Sequence, residues 1–566
     1  MRINFTFYLP LILFLLIWAL LLYKIADVQI INKDYYKALA LGQISTYFNN
    51  SGERGDILAS NGELLATDAY FKNLYLDKDK ANENTYKFLK ELGFEINEKD
   101  VIDFPSSLYL VEERLPEKKV EEVNKKAKEK GIEGIIIRTE SARFYPSKYV
   151  ASKVLGFVNK DGIGEYGIEK AMQEYLKGEQ ISNFDVDVSP LLTKKLAKGA
   201  NVELTINYDI QMFAEKIIKQ AQEFLEFKSA QVIVLDAKTG EVLALVDYPN
   251  FDPNNFSYYA NQGDLEIFQN SAIQKLYEPG SVMKPLTMAI AINEGRIKPE
   301  DTFFDPGMVK VSDRIIKNYR DRSWGKVNMT NILEYSINTG IVFVEQQIPH
   351  SIFLNYLDAL GFFKELDIDL PGAVFSPNNS LKKGYDVNFA TAAFGQGIEI
   401  TPMHLIKAYT VFINEGKMLT PYIIKKVYKN GEILYEGEKR ESSRIFSKET
   451  INILNNMLVS VVEQGYGKRA KVEGYWVAGK TGTAQIPWRN LGEDKIGYSD
   501  KVISSFIGYA PAHNPKFLML VKLDQPKYDY NQEWSVTIIF HKIAKFILDY
   551  FNIPPDYDIN NTSANK

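Results

Sequence analysis

The chain contains no cysteine. Disulfide bonds, thiolate nucleophiles and cysteine-type zinc sites are therefore excluded. The chain has few histidines as well, namely His350, His404, His513 and His541. These residues form neither an H-E-x-x-H pattern nor a close pair. A histidine-based metal site or a Ser-His-Asp triad is therefore poorly supported, and a catalytic base has to be sought among other side chains.

Blocks of basic residues are missing too. The 566 residues carry 67 Lys and Arg against 72 Asp and Glu, which gives a formal net charge of −5. This balance gives no reason to expect a nucleic acid as a partner. Hydrophobic residues make up 45% and charged residues 25% of the chain, as in an ordinary globular protein. At roughly 100–200 residues per domain, the length predicts two to four domains.

One long apolar run stands at the N-terminus. No side chain from Ile3 to Tyr23 is charged, and about 20 helical residues suffice to span the ~30 Å hydrocarbon layer. A cleaved signal peptide is the alternative, but its apolar run is usually only about 7–15 residues long. The Ala38-Leu39-Ala40 sequence that could be cleaved lies well beyond the run. We therefore expect an uncleaved membrane anchor.

After residue 225 the sequence alternates element types in a definite order. Two strand-like runs, 230–236 and 241–246, are joined by a turn, and a mostly helical stretch follows from about 268 to 360. Three further strand signals and a final helix complete the order, near 475–482, 503–509, 517–523 and 533–551. This order predicts an α+β fold in which an antiparallel sheet is flanked by helices.

A serine and a lysine three residues apart lie inside this segment, in Glu278-Pro279-Gly280-Ser281-Val282-Met283-Lys284. If a helix begins near Ser281, the two side chains share a face. A serine hydroxyl is a poor nucleophile until a base takes its proton, and a lysine can do this only when it is neutral. Burial and a second cation nearby would lower its pKa by the roughly 3 units that activity near neutral pH needs.

Two more motifs follow in the same segment. Ser336-Ile337-Asn338 lies in the helix-like run ILEYSINTGIVFVEQ, and Lys480-Thr481-Gly482-Thr483 lies on a predicted strand. Each motif alone arises easily by chance. Together, in this order and on these element types, they match the S-x-x-K, S-x-N and K-T-G set of serine acyltransferases that react with penicillin.

With these motifs the chain resembles the class B penicillin-binding proteins, which are monofunctional D,D-transpeptidases. The resemblance covers nearly the whole chain, through RGDILASNGELLA (54–66), RFYPSKYVASKVLGFV (143–158), DGIGEYGIE (161–169), VELTINYDIQMFAEK (202–216), LDAKTGEVLALVDYPNFDPN (235–254), FGQGIEITPMHL (394–405) and GYWVAGKTGTAQ (474–485). Ala59-Ser60 departs from the family, whose hairpin commonly has Asp-Arg there. The departure lies away from the motifs and puts only pairing within the N-terminal domain in doubt.

The resemblance implies a penicilloyl-serine transferase domain behind an elongated pedestal and one transmembrane helix. The expected divisions are a short cytoplasmic tail over 1–4, the anchor over 5–23, a pedestal or dimerisation-type domain over 27–225, the transpeptidase domain over 226–552 and a disordered tail over 553–566. The protein would sit in the cytoplasmic membrane with a single span and its catalytic domain outside. No metal and no organic cofactor is implied.

The resemblance also implies roles for the motif residues. Ser281 would attack the D-Ala–D-Ala carbonyl and become acylated, while Lys284 takes its proton. Ser336 would pass a proton to the leaving D-alanine, together with Lys480, and Asn338 would bind the substrate backbone. The substrate carboxylate would bind to Thr481 and Thr483, and Gly482 would leave room for substrate along the strand. β-Lactams would acylate the same serine because they mimic the D-Ala–D-Ala end.

Other functions remain open at this stage. A β-lactam sensor or hydrolase shares the domain, although no E-x-x-L-N string lies between Asn338 and Lys480 and the second motif is S-I-N, not S-x-V. A D,D-carboxypeptidase typically lacks the long pedestal, and a non-catalytic scaffold would not need the motif residues. The family implies partnership with a SEDS glycosyltransferase and division proteins. The residues of the first and third motifs favour the division, FtsI-type branch. Elongation and sporulation versions are the alternatives.

Overall fold

The computed structural model describes residues 5–27, 29, 52–179, 197–527 and 535–558. These residues form two compact units, and each unit takes chain from separate parts of the sequence. The smaller unit is made of residues 1–55, 68–142 and 177–199, and the larger unit of 56–67, 143–176 and 200–566.

The helices are α1 (Phe5–Ala26), α2 (Glu83–Glu91), α3 (Glu98–Asp103), α4 (Glu117–Lys130), α5 (Ser152–Leu155), α6 (Gly167–Ala171), α7 (Gln173–Leu176), α8 (Tyr208–Leu225), α9 (Phe256–Asn261), α10 (Ser271–Gln274), α11 (Lys284–Asn293), α12 (Met329–Glu334), α13 (Asn338–Glu345), α14 (His350–Ala359), α15 (Asn379–Lys382), α16 (Asp386–Ala392), α17 (Pro402–Ile413), α18 (Lys448–Glu463) and α19 (Val536–Tyr550).

The strands are β1 (Ile57–Leu58), β2 (Leu64–Asp77), β3 (Leu108–Glu112), β4 (Ile135–Phe144), β5 (Phe157–Val158), β6 (Gly164–Glu165), β7 (Asn201–Leu204), β8 (Ser229–Asp236), β9 (Val242–Tyr248), β10 (Thr302–Asp305), β11 (Met308–Val311), β12 (Arg314–Lys317), β13 (Gly325–Asn328), β14 (Lys417–Leu419), β15 (Ile424–Lys429), β16 (Glu432–Glu436), β17 (Glu441–Arg444), β18 (Ala478–Pro487), β19 (Tyr498–Ala510) and β20 (Phe517–Asp524).

A five-stranded antiparallel sheet forms the centre of the larger unit, in the order β18-β19-β20-β8-β9. Val232 of β8, for example, pairs with Val521 on one side and with Val246 on the other. The two strands predicted around residues 230–246 and the three predicted after residue 475 are the five strands of this sheet. The predicted α+β arrangement of a sheet with flanking helices is therefore confirmed.

Both faces of this sheet are buried, because side chains of a strand alternate between its faces. On β8, Val232 and Val234 belong to one hydrophobic cluster, which also contains residues of α8 and α19. Ile233 and Leu235 belong to the other cluster, with residues of α11, α17 and α18. Two helices therefore cover one face, and the helical block that carries the first two motifs covers the other.

A second group of strands in the larger unit pairs residues that are far apart in sequence. β1 pairs antiparallel with the start of β2 around the turn at Gly62, and parallel with β7. β7 in turn pairs with β15. These strands bury Ile57, Val202 and Ile424 in the same cluster as Ile233 of the central sheet.

The division between the two units does not coincide with the boundary predicted at residue 225. Segments 56–67, 143–176 and 200–225 fall in the larger unit although the sequence assigned them to the pedestal. The physical reason is burial: Val154, Leu155 and Ile168 are fully or almost fully buried in the same hydrophobic cluster as the central sheet. Sequence order alone does not reveal that such early segments join a later core.

The smaller unit has its own core. The second half of β2 pairs with β3, and β4 also pairs with β2. Helices α2, α3 and α4 contribute Phe88, Leu89, Val101 and Val123 to a buried cluster together with Leu76. The charge-rich run 117–130 is thus an amphipathic helix, whose valines are buried and whose lysines and glutamates are mostly exposed.

The chain ends differ from the expectations in one respect. Residues 553–558 are ordered, because Tyr475 OH donates to the carbonyl of Ile553 (2.5 Å) and Trp476 N donates to Asp556 Oδ2 (2.8 Å). The disordered tail was therefore predicted to begin too early, at residue 553, and residues 559–566 lie outside the described residues.

At the N-terminus, the predicted tail over residues 1–4 also lies outside the described residues, and α1 covers the predicted anchor 5–23. Within the described part of the chain, no helix meets the length and apolarity needed to cross a membrane.

Candidate active site

Ser281 lies on a tight turn that leads into a buried helix. Residues Gly280–Met283 form a 3₁₀ turn, and α11 continues from Lys284, whose backbone N–H bonds the Ser281 carbonyl. The sequence predicts a helix from Ser281, so the first turn is tighter than expected. Pro285 is tolerated because it falls in the first turn of α11, where its missing N–H removes no helical hydrogen bond.

The backbone of this turn is held from two sides. Tyr409 OH, fully buried on α17, donates to the Val282 carbonyl at 2.5 Å. Gly280 N donates to the Gly395 carbonyl at 3.0 Å. Gly395 belongs to the Gly-Gln-Gly stretch at residues 395–397. This role of Tyr409 is not predictable from the sequence, because nothing in its apolar helix marks one tyrosine as a support for the nucleophile.

Ser336 interrupts the helix that the sequence predicts through the second motif. α12 ends at Glu334 and α13 begins at Asn338, and Ser336 between them adopts φ = +54°. A non-glycine residue in the left-handed region is strained, and such strain is concentrated at functional sites. Here the break points the Ser336 carbonyl at Lys284 Nζ, which lies 2.6 Å away.

Lys284 brings the first two motifs together. Its Nζ also contacts Ser336 Oγ at 3.1 Å and Asn338 Oδ1 at 2.8 Å. The side chain is fully buried, and burial together with the charge of Lys480 holds its pKa well below the ordinary lysine value. Its oxygen partners among the residues placed by the structure are all uncharged, so none of them is a carboxylate that would stabilise the ammonium form. The site therefore favours a neutral amine, as the proposed base requires.

Asn338 is engaged with the protein at both ends of its amide. While Oδ1 accepts from Lys284, Nδ2 donates to the Lys317 carbonyl at 2.9 Å. The sequence assigns Asn338 to the substrate backbone and predicts neither contact. The contact with Lys317 on β12 could not be predicted, because the accepting group is a main-chain carbonyl whose position the residue types do not reveal.

The third motif lies against the nucleophile turn. Gly482 sits so close to it that a Cβ would approach Val282 Cγ1 to 2.9 Å. A Cβ at Gly280, which has φ = +66°, would approach Ala484 Cβ to 2.8 Å and the Thr483 carbonyl to 3.3 Å. Both positions therefore need glycine to let strand and turn approach. The nucleophile turn and its lysine therefore lie against both other motifs, against the second through Lys284 and against the third through Gly280 and Val282.

Side chains of the third motif alternate between the two faces of β18. Lys480 is fully buried on the face of Gly482, and burial lowers its pKa to about 7. Among the described residues its Nζ bonds Thr481, at 2.8 Å to the carbonyl and 3.4 Å to Oγ1. The expected pairing of Lys480 with Ser336 is not among these bonds. Thr481 is half-buried and Thr483 is exposed.

β18 is an edge strand of the central sheet, since β19 is its one partner among the strands that the structure describes. An edge strand leaves backbone N–H and carbonyl groups free to bind an extended peptide. The pocket therefore combines a serine, a buried amine one turn away, a second hydroxyl on that amine and an open strand edge. This arrangement suits acyl transfer from a peptide.

Comparison with known proteins agrees with this geometry. Residues 230–545, just over half of the chain, match the family described as the penicillin binding protein transpeptidase domain. Residues 49–189 match the penicillin-binding protein dimerisation domain.

Similar proteins are found among curated sequences and solved structures. A peptidoglycan D,D-transpeptidase FtsI homolog of Mesostigma viride is 29% identical, over 90% of this chain and 89% of that protein. Stage V sporulation protein D of Bacillus subtilis is also 29% identical, over 91% and 82%. Penicillin binding protein 3 of Mycobacterium tuberculosis, crystallised with ampicillin, is 25% identical with a TM-score of 0.70, over 90% and 97%.

Fold and motif geometry together define an enzyme of the penicilloyl-serine transferase type. The chain belongs to the penicillin-binding protein transpeptidase family, as a class B member in which a dimerisation domain precedes the transpeptidase domain. The prediction of a serine-type D-Ala–D-Ala transpeptidase is thereby confirmed.

Proposed function

We propose that the chain cross-links peptidoglycan stem peptides through an acyl-enzyme on Ser281, and that it does so during cell division. The observation that carries the chemistry is the buried Lys284 amine, held by Ser336 and Asn338 one turn from Ser281. The curated relatives that bear the FtsI name support the peptide substrate.

In the first half-reaction, Ser281 Oγ attacks the carbonyl of the penultimate D-alanine, and Lys284 takes the hydroxyl proton. A neutral amine has two N–H groups and one lone pair. The Ser336 carbonyl and Asn338 Oδ1 can only accept hydrogen bonds, so they occupy the two N–H groups of the Lys284 amine. The lone pair of that amine is therefore left to accept a proton from a hydroxyl. The proton then passes through Ser336 Oγ, 3.1 Å from the amine, to the departing D-alanine nitrogen.

In the second half-reaction an amine of a neighbouring stem peptide attacks the ester carbonyl, and Ser281 recovers its proton. The negative oxygen of each tetrahedral intermediate would be bound by the backbone N–H groups of Ser281 and Thr483. This assignment is supported by the close approach of Gly280 to the Thr483 backbone.

The donor peptide would add along the free edge of β18. Its terminal carboxylate would be bound by the hydroxyls of Thr481 and Thr483, which are accessible to solvent. Lys480 supplies positive potential when it is protonated, and Gly482 keeps the strand clear of a side chain. β-Lactams would enter the same position and acylate Ser281.

We also propose a single-span anchor over residues 5–23 with the enzyme outside the cytoplasmic membrane. Support comes from the uncharged run and from α1, on which Phe14, Trp18 and Leu20 are all more than half exposed. Exposed side chains of this kind need an apolar surrounding. The location outside follows from the substrate, which is extracytoplasmic.

A cross-linking enzyme needs a supply of glycan strands. We propose that an FtsW-type SEDS glycosyltransferase supplies them, together with other division proteins. A sporulation role is the second candidate, because the Bacillus subtilis relative named for sporulation is as similar as the first FtsI homolog.

The assay that tests the chemistry uses the full-length chain in detergent with a donor peptide ending in D-Ala–D-Ala and a free amine acceptor. We expect one D-alanine released for each cross-linked product formed. Release of D-alanine with the hydrolysed donor as the main product, at saturating acceptor, would instead indicate a carboxypeptidase. Turnover of penicillin at a comparable rate would indicate a hydrolase.

The division assignment is tested by depletion of the protein in growing cells. If cross-linking at the septum stops while side-wall synthesis continues, cells elongate into filaments. Rounded cells would point to elongation, and normal growth with failure only at spore formation would point to the sporulation role. A plasmid copy carrying an exposed-site variant such as Ser351→Ala serves as the complementation control.

A further inference from the structure

The helix that carries Asn338 does not cap its own N-terminus. Its N-cap residue, Ile337, supplies no side-chain hydrogen bond. The N–H of Thr339, in the first turn, instead donates to Asn318 Oδ1 at 3.1 Å. Asn318 belongs to the 302–328 arm, which we define as the two small hairpins β10–β13 and β11–β12 between α11 and α12. The cap of α13 is therefore supplied from another part of the chain.

A buried carboxylate holds this external cap in place. Asp305, fully buried at the end of β10, accepts hydrogen bonds on both oxygens. Its donors are Gly307 N (2.9 Å), Asn318 Nδ2 (2.8 and 3.0 Å), Trp324 N (2.9 Å) and Thr339 Oγ1 (2.5 Å). Three donors belong to the arm and one to α13, so the carboxylate joins the arm to the helix. The carboxylate also lies at the N-terminal end of α13, where the helix dipole favours a negative group.

The arm also sets the orientation of the Asn338 amide. Lys317, next to Asn318 in sequence, offers the carbonyl that accepts from Asn338 Nδ2. Since Nδ2 is held there, Oδ1 faces Lys284 Nζ. A flipped or displaced amide would present donors to the lysine and remove one of its acceptors.

We propose that Asp305 is a positioning residue of the transpeptidase: through Asn318 and Thr339 it locks the 302–328 arm to α13 and so fixes the Asn338 amide against Lys284. The inference rests on the proposed acyl-enzyme function. Asp305 touches no reacting atom. Its effect reaches the chemistry through the placement of a base, where a displacement of about 1 Å can cost on the order of 100-fold in rate.

The test variant is Thr339→Val, which keeps the side-chain shape and removes only the hydroxyl that bonds Asp305 and Asn318. Thr339→Ser restores that hydroxyl. Thr410→Val is the matched control, because Thr410 is equally buried and its hydroxyl, within the described part of the chain, bonds the Lys407 carbonyl and Leu419 N and no group of the site. Each full-length variant is reacted with a fluorescent penicillin, and the acylation rate per titratable serine is compared with the melting temperature.

We expect Thr339→Val to slow the acylation step by about 10- to 100-fold with little change in penicillin affinity. Thr339→Ser should acylate at close to the wild-type rate, and Thr410→Val should lower the melting temperature without slowing acylation. Asn318→Ser, which shortens the cap and leaves α13 unchanged, should behave like Thr339→Val and replaces it if that variant does not fold.

Two results would overturn the proposal while wild-type labelling remains intact. One is wild-type acylation by Thr339→Val and Asn318→Ser. The other is an equal slowing in Thr410→Val, which would reduce the effect to general destabilisation. Absence of labelling in the wild type would instead overturn the proposed function itself, so the two failures are distinguishable.

Discussion

Replacement of Ser281 by alanine is expected to abolish covalent labelling by a fluorescent penicillin. The loss should exceed about 1,000-fold, because removal of the nucleophile leaves only the weak background of the binding site. Alanine fits the 3₁₀ turn at this half-buried position, so the melting temperature should stay near the wild-type value.

The measurement is in-gel fluorescence after penicillin treatment, with peptide mass spectrometry to locate the adduct. Ser351→Ala, an exposed serine-to-alanine change on α14, is the control and should label like the wild type. Equal labelling of Ser281→Ala, or an adduct found on Ser336, would refute the assignment of the nucleophile.

Replacement of Lys284 by methionine is expected to slow acylation by about 100- to 10,000-fold, the range that a positioned base contributes. Methionine keeps the apolar stem in the core but cannot accept the Ser281 proton. The rate constant for penicillin acylation measures the effect directly. Lys216→Met, an exposed change on α8, is the control and should leave the rate unchanged. A Lys284→Met rate close to that of the wild type would exclude Lys284 as the base.

The same lysine sets a pH dependence in the wild type. Its pKa is lowered by burial and by Lys480, so the active neutral form is lost only as the pH falls through that lowered value. Acylation should therefore decline on the acid side with the titration of Lys284. Should the decline follow an ordinary lysine pKa near 10.5, the amine would be charged at neutral pH and the proposed step would fail.

Replacement of Lys284 by methionine should raise the free energy of unfolding although it lowers the activity. Because burial and Lys480 hold its pKa well below the ordinary lysine value, Lys284 loses its proton at a lower pH in the folded state than in the unfolded state. The unfolded state then binds more protons, so the free energy of unfolding rises with pH up to the ordinary lysine pKa. Lys284→Met removes this contribution. The variant should be more stable than the wild type at pH 7, and the difference should shrink toward pH 10.5.

The sequence predicts the pocket well because three short motifs each carry their own chemistry. Ser281 and Lys284 are three residues apart, so local geometry alone places them one turn from each other. The strand around Lys480 is identified by its apolar neighbours, whereas its place at the sheet edge is known only from the structure. The prediction that the three motifs lie close together rests on their occurrence in one chain and on the family resemblance. The periodicity of apolar residues does not predict it.

What the sequence could not predict lies in long-range and main-chain contacts. The run around Ser336 has helical composition, and the left-handed residue that breaks it is held by the Lys284 contact, which lies 52 positions away in sequence. The Lys317 carbonyl and the cap from Asn318 are invisible for the same reason. The two compact units do not divide at residue 225, because Val154 and Ile168 are buried in a core formed mostly by later residues.

The recruitment of early segments has a consequence for the order in which the protein can be assembled. β1 leaves the ribosome more than a hundred residues before its partner β7, and β7 waits still longer for β15. Until then, apolar side chains such as Ile57 and Val154 have no lasting partner, which invites premature association with other chains. High sequence separation between contacts also makes folding slow. The larger unit therefore depends on a nearly finished polypeptide, and a shortage of chaperones during biosynthesis would affect its yield before it affected its chemistry.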